Sequence, residues 1–90
     1  MVQIRVTHSG GDDFDVRVQD PAGTSRHRVT VSPAELSKYA PDADRAALVE
    51  ESFRFLLERE PKESILSRFS LSTIERYFPE YAEQIRHRVS

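Results

Sequence analysis

Three short runs of alternating side chains fill the first third of the chain and dictate most of what the remainder must do. Val2, Ile4 and Val6 share one parity and Gln3, Arg5 and Thr7 the other, the period of a strand with one buried face. Gly10-Gly11-Asp12-Asp13 then supplies turn chemistry, because glycine tolerates positive φ and aspartate favours turns. The alternation resumes with Phe14, Val16 and Val18 against Asp15, Arg17 and Gln19. It turns again at Asp20-Pro21-Ala22-Gly23 and returns with Val29 and Val31 against Arg26, Arg28 and Thr30. Three such strands joined by tight turns predict an antiparallel meander with one wet face over residues 1–31. A sheet of that size is marginal alone, so residues 32–90 have to cover its Val/Phe side.

That cover reads as helical. Ser32-Pro33-Ala34-Glu35 has the form of a capping box with proline at the first helical position, and it opens a short helix bearing Leu36 and Tyr39. Asp42 or Asp44 is placed to cap a central helix. In that helix Ala46, Val49, Phe53 and Leu56 form an apolar stripe, widened by Leu48, Phe55 and Leu57. Pro61 ends it, and Ile65, Leu66 and Phe69 predict a further helix beyond. Ser72-Thr73-Ile74-Glu75 reads as a second capping box, and Pro79 predicts a break after Phe78. The expected fold class is α+β: a three-stranded antiparallel β-meander followed by four or five short helices packed on one face, in a single domain over 1–90.

Composition narrows function mainly by exclusion. Thirteen Lys and Arg against fifteen Asp and Glu give a net charge of −2, so no strong whole-molecule field draws the protein to nucleic acid or anionic lipid. The lack of cysteine removes disulfides, thiolate catalysis and cysteine-based metal sites. The longest apolar run, Ala46 to Val49, is far short of a membrane span, and the N-terminal alternation is unlike a signal peptide. The expectation is a soluble, cytoplasmic protein with no membrane partner.

Individual residues point the same way. His8 and His27 share the inward parity but fall near different ends of their strands, too far apart for one metal. His87, in the last turn of the last helix, is a cation near a helix C-terminus. Asp12, Asp13 and Asp15 lack the further oxygens of a calcium loop. The serines at 64, 67, 70 and 72 have no histidine nearby and no glycine-flanked elbow. No catalytic residue, metal site or cofactor is expected, and the chain reads as non-enzymatic.

Two surfaces carry the functional expectation. Arg5, Arg17, Arg26 and Arg28 lie on the wet side of the meander, a candidate anion or nucleic-acid face, since guanidinium grips phosphate or carboxylate with two parallel hydrogen bonds. Tyr39, Tyr77, Phe78 and Tyr81 exceed what a thin core readily hides and form a candidate protein interface. Residues 62–78 also have the order of a helix-turn-helix pair, with Ser72, Thr73, Glu75 and Arg76 on the second helix. The function expected is a small binding or regulatory module acting through protein–protein contacts, with a protein partner or a second copy in a homodimer. The alternative is a nucleic-acid binder using residues 62–78 or the arginine face.

The strings FLLEREP from Phe55, SIL from Ser64 and YFPEY from Tyr77 resemble a pattern found in a family of small bacterial proteins of unassigned function. The resemblance covers about the second half of the chain. It implies a compact domain and brings no activity, cofactor or catalytic residue with it.

Overall fold

Each alternating run becomes a strand. In the computed structural model, which describes residues 2–89, β1 (Gln3–Gly10), β2 (Asp13–Asp20) and β3 (Gly23–Thr30) pair antiparallel in chain order. The first turn places Gly11 at φ 56°, a left-handed conformation that glycine adopts without steric cost. In the second, the Asp20 carboxylate accepts from the Ala22 and Gly23 amides at 2.8 and 3.1 Å. Register then sorts the two faces. Phe14, Val16, Val18, Val29 and Val31 are buried, while Arg5, Arg17 and Arg26 stand side by side across the three strands on the outer face.

The sheet has a fourth strand that the sequence pattern does not predict. Lys62–Ser64 makes one 3-10 turn, and β4 (Arg68–Ser70) then pairs parallel to β3, giving the order β1-β2-β3-β4. The helix expected over Ile65–Phe69 is therefore absent; Ile65 already has extended backbone, φ −77° and ψ 133°. Competition from the sheet explains the difference. The outer edge of β3 carries unpaired backbone groups, and the Arg28 amide takes the Ser67 carbonyl at 2.8 Å.

Two buried polar residues lock that choice. His27 lies on the core side, beside the Phe53 ring at 5.2 Å. Its Nδ1 is 2.8 Å from the Leu66 carbonyl oxygen; a carbonyl only accepts, so Nδ1 donates there, and Nε2 lies 2.8 Å from Ser25 Oγ, whose hydroxyl can take either role. The buried Lys62 ammonium reaches Asp20 Oδ1 at 3.0 Å and also pairs with Glu63. Those two carboxylates raise the Lys62 pKa, Glu63 contributing most.

Four helices complete the described chain: α1 (Pro33–Tyr39), α2 (Arg45–Leu57), α3 (Leu71–Tyr77) and α4 (Tyr81–Val89). Ser32 and Glu35 form the expected capping box, and Asp44 is the residue that caps α2. The chain breaks at Phe78–Pro79, which separates α3 from α4. The second capping box does not form, because α3 begins at Leu71 and Ser70 makes no cap bond of its own. Glu35 serves instead: one carboxylate oxygen accepts the Ser32 amide at 2.9 Å and the other the Ser72 amide at 2.7 Å. One carboxylate thus satisfies the starts of two helices.

The core lies between the inner sheet face and α2, where Leu48, Val49, Phe53 and Phe55 are fully buried. Phe53 contacts Phe69 of β4 at a ring separation of 5.9 Å, so the fourth strand is packed as well as paired. Helix α4 closes the other side of α2. Tyr81 stacks edge-on to Phe55 at 5.3 Å and to Tyr39 at 5.0 Å.

Candidate functional site

The outer face of the sheet is the strongest candidate. Cross-strand neighbours lie about 4.8 Å apart and alternate residues on a strand about 6.7 Å apart, so register alone fixes a grid. One row is Arg5, Arg17 and Arg26; the next is Thr7, Asp15, Arg28 and Arg68. All five arginines are exposed. They line a shallow trough with a cavity volume of about 690 Å³, flanked by Thr7 and Ser67.

Charge in the trough is poorly compensated. Asp15 is the carboxylate in its lining, and it pairs with Arg28 at 3.2 Å. Both partners are about half exposed, so the pair contributes little to stability. Asp13, one row further, accepts a hydrogen bond from Thr30 at 2.8 Å. Arg5, Arg17, Arg26 and Arg68 make no ion pair among the described residues. Most cations elsewhere are matched, as in Arg45–Asp12 at 2.9 Å, Arg59–Glu80 at 3.2 Å and Lys38–Glu75 at 2.9 Å, whereas Arg76 makes no ion pair among the described residues and Arg86 bonds the Lys38 carbonyl.

Like charges directly opposite on neighbouring strands destabilise a sheet. Three arginines in one row therefore gain nothing from pairing with one another, and a local rule broken without evident structural gain makes this face a candidate site. Four of these residues are the ones the sequence brings forward. Arg68 is missed, because residues 62–69 read as a helix. The available signal is weak: a polar–apolar–polar triplet, Arg68-Phe69-Ser70, and the need of β3 for a neighbour.

The aromatic candidates separate. Tyr39 and Tyr81 are 0% exposed and hold the interior together. Tyr39 Oη donates to Glu75 Oε1 at 2.6 Å, and Tyr81 Oη is 2.7 Å from Ser52 Oγ. Burial, more than any neighbour, raises both phenol pKa values. They offer no surface to a partner. Tyr77 is 67% exposed and Phe78 partly so, and these two meet in a separate apolar groove with Leu66, Phe69 and Ile74.

The helix pair expected over 62–78 is not formed, since its first member is a 3-10 turn and a strand. Ser72 and Glu75 are also occupied by Glu35 and by Tyr39 with Lys38. His8 bonds the Gly11 carbonyl at 2.8 Å, and β2 separates it from His27. Among the described residues no group of three or more His, Cys, Asp or Glu is placed to hold a metal ion, and no helix is long and apolar enough to cross a membrane. Against family models, curated proteins and solved structures, the chain gives no match.

Proposed function

We propose that the protein is a non-enzymatic binding module whose arginine-lined sheet face captures an acidic segment of a protein partner. The observation that carries this reading is the trough itself, with five exposed guanidinium groups against one carboxylate in a chain of net charge −2. Arginine holds carboxylates in a planar, bidentate geometry and loses less freedom per hydrogen bond than lysine. Thr7 and Ser67 add neutral donors at the rim.

A polypeptide is favoured over nucleic acid by two features. The trough lining holds no Phe, Tyr or Trp, and its His27 ring is buried against Phe53, so bases find no stacking platform there. An apolar groove also lies beside the sheet, and a phosphate backbone offers nothing to fill it. A second copy fits poorly, because two such faces repel.

The test is calorimetric titration with poly-L-glutamate at low and moderate salt. Binding that weakens as salt rises, and is lost when Arg17→Glu and Arg26→Glu are combined, supports the reading. No heat at low salt overturns it. Tighter binding to duplex DNA or RNA than to poly-L-glutamate would replace it with the nucleic-acid reading.

A further inference from the structure

Strand β4 lies at one edge of the sheet, and its two sides differ in chemistry. Arg68 faces the arginine trough; Phe69 faces the apolar groove, whose cavity volume is about 290 Å³. Ile65, Leu66, Tyr77 and Phe78 line the groove with it. Leu66 and Tyr77 are the most exposed large hydrophobic residues among the described ones, at 49% and 67%. The main-chain groups of β4 not used by β3 point outward along this edge, as on any edge strand. A basic surface, a row of backbone donors and acceptors and an apolar slot therefore run side by side.

We infer that the β4 edge accepts an extended segment of an acidic partner by strand addition, and that the segment alternates acidic and apolar side chains. This deepens the reading of the arginine face and rests on it. In an added strand successive side chains point to opposite faces. One set would stand beside Arg68 and within reach of Arg28, and the other would enter the groove over Leu66, Phe69 and Tyr77. Backbone pairing supplies affinity and the alternation supplies specificity.

Charge selects this occupant over a second copy. Pairing β4 antiparallel with the β4 of another copy continues one arginine face into the next, with both Arg68 side chains on the same side of the sheet, and pairing it with β1 brings in Arg5 on the outer face. Both arrangements place like charges together. An acidic strand removes the conflict and neutralises guanidinium groups such as Arg68 that make no ion pair among the described residues.

The experiment compares two acetylated peptides of one composition on the full chain by amide NMR and titration. In one, Glu and Leu alternate; in the other, the same residues are in blocks. The alternating peptide is expected to bind at least about tenfold tighter, a difference of about 1.4 kcal/mol, and to slow amide exchange at Arg68 and Ser70. Leu66→Ser and Arg68→Glu, both exposed changes that leave the core intact, should each abolish that preference. Equal affinity for the two peptides, with poly-L-glutamate still bound, overturns strand addition and leaves the arginine-face reading standing. If no acidic polypeptide binds, both fall. Concentration-dependent protection of β4 without peptide would assign the edge to a second copy and overturn the inference.

Discussion

Tyr81 and Ser52 share a buried pair of hydroxyls whose protons can be assigned from their neighbours, and the assignment makes two substitutions unequal. Ser52 Oγ is 2.7 Å from the Leu48 carbonyl, which only accepts, so the single Ser52 proton goes there. Tyr81 Oη, 2.7 Å from Ser52 Oγ, must then donate its own. Tyr81→Phe removes a donor and leaves Ser52 bonded to Leu48, a loss of about 0.5–1.5 kcal/mol. Ser52→Ala strands the Tyr81 hydroxyl in a site of 0% exposure, which costs about 1–3 kcal/mol, offset by up to about 0.5 kcal/mol of alanine helix propensity.

The double variant has no stranded donor, so its cost should fall below the sum of the two by about 0.5 kcal/mol or more. Each kcal/mol shifts Tm by about 4–8 °C in a domain of this size, so urea and thermal unfolding followed by circular dichroism resolve the cycle. Additive effects, or a larger loss for Tyr81→Phe than for Ser52→Ala, would refute the proton assignment. A neutral Tyr81→Phe would also undercut its place in the core.

Other perturbations follow from the same packing. Phe53→Ala should destabilise by about 3–5 kcal/mol, since the ring is fully buried between His27 and Phe69; a loss under about 1 kcal/mol by urea unfolding would mean α2 is misplaced. Glu35→Ala should cost about 1–3 kcal/mol in the same assay by stripping the caps of α1 and α3 together, and amide exchange should quicken at both Ser32 and Ser72. For Glu35, burial opposes ionisation, but hydrogen bonds from Ser32 and Ser72 outweigh it and lower the pKa. Hydrogen bonds from Tyr39 and Lys38 lower that of Glu75. Stability from these two carboxylates is complete above their unfolded value near 4.5 and is lost as pH falls through the lower folded values. Thermal scans should therefore show a decline below about pH 4. The raised phenols act oppositely: their contribution is full below pH 10 and declines as pH rises past the unfolded value of 10.0.

Much of the fold is legible before any coordinates, because period carries it. Strict alternation places Phe14, Val16 and Val18 inward and Arg5, Arg17, Arg26 and Arg28 outward, and the structure keeps every one of those sides. Ser32, Asp44 and Pro79 mark helix boundaries that form. What escapes is settled by tertiary competition. Ile65, Leu66 and Phe69 sit at helical spacing, yet the open edge of β3, His27 and the buried Lys62 draw that segment into the sheet.

The site was half legible for the same reason. Parity identifies four arginines but not that Arg5, Arg17 and Arg26 share one row, nor that β4 adds Arg68. The tyrosines mislead because an aromatic count says nothing of depth. Tyr39 and Tyr81 find partners in Glu75 and Ser52, which lets their hydroxyls go inside.

The measurement nearest to the central claim is an arginine side-chain NMR spectrum recorded as poly-L-glutamate is added. The Nε–H signals of Arg5, Arg17, Arg26, Arg28 and Arg68 should move together and return with salt, while that of Arg54, already paired with Glu50 on α2, stays in place. Shifts confined to arginines off the sheet, or none at all, would contradict the account.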